Sequence, residues 1–196
     1  MNRSTLATQC IKEPALLSFI CERVKEACMT SPNGMGCRMY ASFQIALVSE
    51  ILDSVSVDKY EQVARILMPY VLRGVRAKNP MSYQNCSRVL LLRLVSRGLS
   101  EEQTKRSVME IASSAESEDV EDTTMCVVAI AASISNNKKS KSSFLSEAME
   151  TVSKMPDIAS RLGFAADHYD VSALLKTFVP SLSSNCLYND VSFDVL

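Results

Sequence analysis

Apolar side chains recur along this chain at spacings of three and four, most clearly between Val57 and Gly98. Tyr60, Val63, Ala64, Leu67 and Val71 share one helical face, with Lys59, Glu61, Gln62, Arg65 and Arg73 between them. That pattern predicts an amphipathic helix with a single face to bury. Beyond the link Lys78-Asn79-Pro80, residues Val89, Leu90, Leu91, Leu92, Leu94 and Val95 nearly encircle a second helix, which needs cover on most of its sides. So short a link makes the two helices antiparallel neighbours, a helical hairpin. A lone hairpin of this kind leaves apolar surface in water, so it calls for another hairpin on each side.

The flanking sequence supplies them. Residues 1–12 are polar and read as a flexible lead-in. Pro14 suits a first helical turn, where its missing N–H costs nothing. Leu16, Leu17, Ile20, Val24, Ala27 and Cys28 mark the face of that helix, and Ser31-Pro32-Asn33-Gly34 stops it. A second helix runs from about Cys37 to Leu52 on Tyr40, Phe43, Leu47 and Ile51, widened by Met39, Ala46 and Val48. Ser56 or Asp58 caps the third helix, and Gly98 ends the fourth. Ser100-Glu101-Glu102-Gln103 fits a capping box, and Thr104, Val108, Ile111, Ala112 and Ala115 continue the helix it opens. The acidic break Ala115 to Asp122 loads carboxylates at the next helix start, where the helix dipole favours them. Met125 to Ile134 is apolar nearly all round, and Asn136 to Ser143 is a basic polar loop. Phe144, Leu145, Ala148, Met149 and Val152 predict a helix ended by Pro156. A short one is expected over Asp157 to Phe164, and a last one on Val171, Leu174, Leu175, Phe178 and Leu182.

Pro14, Asp58 and Glu102 each open the first helix of a pair and stand 44 residues apart. That period lies inside the range of about 40–47 residues found in HEAT-type helical repeats. The expected fold is therefore all-α: an α–α superhelix, HEAT- or armadillo-like, of about four helical hairpins over residues 13–182. Its units are 13–55, 56–98, 99–136 and 143–182. The irregular stretch Lys154 to His168 serves as the fourth unit's distorted outer helix, and 183–196 is a tail or linker.

Composition narrows the picture. Apolar residues form 47% of the 196, glycine is scarce at five and tryptophan is absent, which disfavours sheets of tight hairpins. A net charge of −1 excludes a strongly basic nucleic-acid binder taken as a whole. The seven cysteines contain no CxxC pair and fall within helical patterns, as buried small apolar residues do. With no secretory leader at Met1 to Cys10, they indicate a reducing compartment. The Val89 to Val95 run is broken by Arg93 and is far short of a membrane span, so no membrane partner is expected.

Candidate chemistry is sparse. No phosphate-loop, dinucleotide, zinc-protease or serine-hydrolase motif occurs. The one histidine, His168, lacks convergent partners; Cys21 and Cys28 lie two turns apart without further ligands at useful spacing. No catalytic residue, metal, cofactor or small-molecule substrate is expected. Charge is unevenly placed, however. From Arg65 to Arg106 there are nine basic residues against Glu101 and Glu102 alone. Of these, Arg73, Arg76, Lys78, Arg88, Arg93, Arg97, Lys105 and Arg106 are candidate RNA or phosphate contacts. The competing reading is a solvated surface with cations favoured at helix C-termini, since aromatic residues for base stacking are not interleaved with them.

Three stretches carry a resemblance: Ala15-Leu16-Leu17-Ser18-Phe19-Ile20-Cys21, Ile66-Leu67-Met68-Pro69-Tyr70-Val71-Leu72-Arg73-Gly74, and Tyr169-Asp170-Val171-Ser172-Ala173-Leu174-Leu175-Lys176 running on to Leu182. In that order they resemble the family of HEAT repeat-containing protein 1, also called U3 small nucleolar RNA-associated protein 10, over roughly Ser4 to Leu182. The resemblance implies a piece of that family's N-terminal helical-repeat region, or a shortened relative. It implies a nucleolar scaffold of the small-subunit processome, associated with other processome proteins and with pre-ribosomal RNA or the U3 particle. Roles in pre-ribosomal RNA processing and ribosomal DNA transcription follow, with no catalytic residue to carry over. The alternatives are a HEAT-type adaptor of a transport or phosphatase assembly, and an α-helical enzyme.

Overall fold

The computed structural model describes residues 2–30, 34–77, 80–114, 120–136, 146–155, 157–176 and 178–179. The fold is all-α, and no strand occurs among the described residues. Among the described residues no helix is long and apolar enough to cross a membrane. The chain divides into two compact units, Met1–Leu99 and Ser100–Leu196.

The first unit holds α1 (Arg3–Lys12), α2 (Pro14–Thr30), α3 (Met35–Ser54), α4 (Val57–Val75) and α5 (Met81–Gly98). Each consecutive pair, α2 with α3 and α4 with α5, packs side by side. The pairs then stack like on like, α2 against α4 and α3 against α5. The core follows from the sequence faces: Leu17, Cys21, Val24 and Cys28 of α2 meet Leu47, Val48, Ile51 and Leu52 of α3, with Leu67 and Val71 of α4 and Leu90, Leu91 and Leu94 of α5. Tyr83 is fully buried where α2, α3 and α5 converge on Val24, Cys28 and Cys37. The cover on α5 is incomplete: Val89 is exposed and Leu92 half-buried, so three sides of the helix are packed and one is wet.

Residues 1–12 are not a flexible lead-in. They form α1, which packs on α2 and α3 and buries Ala7 and Cys10. Asn2 caps it by accepting from the Ser4 backbone N–H at 3.4 Å. Two small side chains suffice for the contact, so the segment shows no long apolar run. At the start of α4, Ser56 occupies the N-cap position without a side-chain bond to the helix. Its hydroxyl hydrogen-bonds Asp58 instead, which holds that carboxyl below its usual range. Gly98 ends α5 with a positive φ of 104°, where a side chain would be strained.

The second unit holds α6 (Glu101–Ser113), α7 (Val120–Asn136), α8 (Ser146–Ser153) and α9 (Ile158–His168), with a further helical turn at 172–176. The Ser100 capping box is complete, with the Gln103 backbone N–H donating to Ser100 Oγ at 3.3 Å and Gln103 Oε1 accepting from the Ser100 N–H at 3.3 Å. Within this unit α6 packs on α7 and on α8, and α7 packs on α9. This corrects the reading of the fourth repeat. The helix at 158–168 lies against α7, the second helix of its pair, while α8 takes the place against α6. The loop at 138–141, the tail 183–196 and, within the final helix, residues 177 and 180–182 fall outside the described residues.

Candidate functional site

The apolar pattern of α3 covers two directions, and the first unit uses only one of them. Cys37, Ala41, Leu47, Val48, Ile51 and Leu52 point into the core. Met39, Tyr40 and Phe43, expected to be part of that buried face, are instead 66, 49 and 40% exposed. On α2, Phe19 is 59% exposed for the same reason: it lies off the Leu17, Cys21, Val24 face. Together these side chains form a groove of about 490 Å³ between the two helices. Phe19, Ile20, Arg23 and Val24 line it from α2, and Gly36, Met39, Tyr40 and Phe43 from α3. Met35, one turn before Met39, is also exposed.

The polar equipment of the groove is small. The Tyr40 hydroxyl and the Arg23 guanidinium are its functional groups. Arg23 lies 5.5 Å from the Phe19 ring centroid and pairs with Glu26 at 2.9 Å. Such a wall offers apolar contact with one positive charge at its edge; it brings together no nucleophile, base or carboxylate pair.

In the first unit, several of the basic residues singled out in the sequence are engaged by neighbouring side chains or carbonyls. Arg88 is 4% exposed, packed inside α5's buried side and donating to Asn85 Oδ1 at 3.3 Å, so it presents no phosphate-binding surface. Arg93 pairs with Asp53 at 3.4 Å, and Arg97 donates to the Leu52 carbonyl. Both therefore tie α5 to the C-terminal end of α3, where free carbonyls favour cations. Arg73 is exposed and faces Glu22, whose carboxyl is held low chiefly by Lys25 and further by Arg73. Arg76 is exposed at the end of α4. In the second unit Lys105 is half-buried and Arg106 lies 3.9 Å from Glu110. Lys78 lies outside the described residues.

Cys10, Cys21, Cys28, Cys37, Cys86 and Cys126 are buried free thiols. Among the described residues no group of three or more His, Cys, Asp or Glu side chains can hold a metal ion. His168 is the last residue of α9. Cys86 donates to the Ala41 carbonyl at 3.4 Å and Cys28 to the Cys37 carbonyl at 3.7 Å, so these sulfurs serve the packing of α3. Burial pushes Cys21, Cys28 and Cys86 from an ordinary value of 9.0 up to about 12. The unfolded chain releases these protons near pH 9 while the folded chain keeps them. Stability is therefore fully present below pH 9 and falls as pH rises toward 12, by up to about 1.4 kcal/mol per pH unit for each thiol. Urea midpoints measured under reducing conditions between pH 8 and 11 are expected to decline accordingly, and Cys86→Ala to flatten the decline. A midpoint independent of pH over that range would place the thiols in water.

No family model matches the chain, and no curated protein matches it.

Proposed function

We propose that this protein is a non-catalytic scaffold of HEAT-type helical hairpins, stacked into an α–α superhelix, that serves nucleolar ribosome biogenesis by holding partner proteins. The open groove between α2 and α3 carries the scaffold reading. A patch of exposed aromatic and methionine side chains on a packed helical pair is costly in water and is the usual mark of an interaction surface. The like-on-like stacking of α2 on α4 and α3 on α5 supports a repeating stack, because the same join can be made again by any further hairpin. Assignment to the small-subunit processome rests on the three short sequence matches within 15–21, 66–74 and 169–182. With Arg88 buried and Arg93 and Arg97 engaged on α3, association with pre-ribosomal RNA or the U3 particle runs through partner proteins in this reading, not along an arginine track.

Affinity isolation of the tagged full chain from nuclear extract tests it. Processome proteins and pre-ribosomal RNA are expected to co-purify, and the proteins to stay bound after ribonuclease treatment. Recovery of transport receptors or phosphatase subunits in their place overturns the ribosomal assignment in favour of a different HEAT-type adaptor.

A further inference from the structure

We infer that the α2–α3 groove receives one short amphipathic α-helix of a partner protein, seated by apolar side chains and by a carboxylate that reaches Arg23. This deepens the scaffold reading and rests on it. Met35, Met39 and Phe43 follow one another at intervals of four along α3 and are all exposed. At a rise of 1.5 Å per residue the row is about 12 Å long, the reach of anchors at i, i+4 and i+7 on a helix laid alongside. Methionine thioethers adapt to the shape of an incoming side chain, while Tyr40 and Phe43 supply rigid contact area.

Charge selects among apolar helices. Arg23 is the one cation among the residues lining the groove. Its pairing with Glu26 joins two side chains that are 56 and 46% exposed, an i,i+3 surface pair of little worth in water. A carboxylate delivered beside an apolar stripe gains from Arg23 in a partly desolvated setting, and a lysine there is repelled. Size argues against a second copy as the occupant. Eight residues line the groove, whereas a standard protein interface uses about 20–30 on each side. One cation is likewise too few to track an RNA backbone, although the rings alone suit base stacking.

Panning a displayed library of helical peptides against the full chain tests the inference. Enriched peptides are expected to carry apolar residues at i, i+4 and i+7 with Asp or Glu beside the stripe. For the best synthetic peptide, Phe19→Ala with Tyr40→Ala in the chain is expected to raise Kd at least tenfold at an unchanged melting temperature. A Lys in place of the peptide's acid is expected to cost about tenfold, and Arg23→Glu to restore most of it. Failure to enrich, binding indifferent to Phe19→Ala with Tyr40→Ala, or a charge swap without restoration overturns the inference. So does a dimer seen by sedimentation, or a tight complex with a single-stranded RNA oligonucleotide, that the same double variant abolishes. Ribosomal partners retained by that double variant reject the groove and leave the assembly reading standing. Groove-dependent peptide binding without ribosomal partners keeps the groove and rejects the assembly.

Discussion

Leu91→Asp is expected to unfold the first unit of the chain. Leu91 has no exposed surface, and its helix α5 is packed on α3 and α4 together. A carboxylate placed there has no partner and no water, at a cost of several kcal/mol. That is comparable with the roughly 5–15 kcal/mol by which domains of this size are stable. Loss of the corresponding helical signal in circular dichroism at 25 °C, or a collapse of its urea transition, is the expected readout. Val89→Asp is the matched control, two residues away on the same helix but 43% exposed, and should leave the transition nearly in place. Equal midpoints for Leu91→Asp and the wild type would mean that Leu91 faces solvent and that the stack does not close over α5.

Gly74→Ala is expected to be the most damaging addition of a single methyl group. A Cβ at this position of α4 would stand 1.9 Å from Ser87 Oγ, 2.7 Å from Ser87 Cβ and 3.2 Å from the Tyr83 ring. Ser87 is itself buried and bonded to the Tyr83 carbonyl at 2.9 Å, so it has little room to retreat. The helices must part or α5 must shift, and overpacking of this kind costs about 1–3 kcal/mol. Ser87→Gly removes two of the three obstructing atoms. It is expected to cost about 1 kcal/mol alone, as glycine does within a helix. In the double variant it should recover part of the Gly74→Ala loss, with a coupling of at least about 1 kcal/mol in a double-mutant cycle. Strict additivity of the two urea midpoint shifts would show that α4 and α5 do not touch at this crossing.

Both sites show how unevenly the fold is written in the chain. The central hairpin, its partner and the Ser100 capping box were legible because each depends on residues three or four positions apart. Leu90, Leu91 and Leu94 announce a buried helix through their own spacing, and Gln103 lies within reach of Ser100 in any chain that turns there. Gly74 carries no such short-range signal. Its use appears only when Ser87, from the next helix, is brought against it. The helix at 3–12 was hidden for a related reason. Ala7 and Cys10 are too small to mark an apolar face, and α2 and α3 are what make them core. The arginines divide in the same way. Arg88 and Arg93 are five residues apart on one helix; the first is sunk into it and the second meets Asp53 from α3.

By itself, then, the sequence determined that the described stretches are helical, where the first three pairs of helices lie and how far apart they begin. Those properties reside in short-range spacing and in turn and cap residues. Only the tertiary structure decided which apolar faces are covered and which stay open. Tyr40 and Phe43 carry the same apolar signal as Leu47 and Ile51, yet the first two line a groove and the others lie in the core. Periodicity tells a helix how much surface it must hide. Whether a neighbour arrives to hide it depends on residues tens of positions away, and over Met39, Tyr40 and Phe43 of α3 none of the described residues closes.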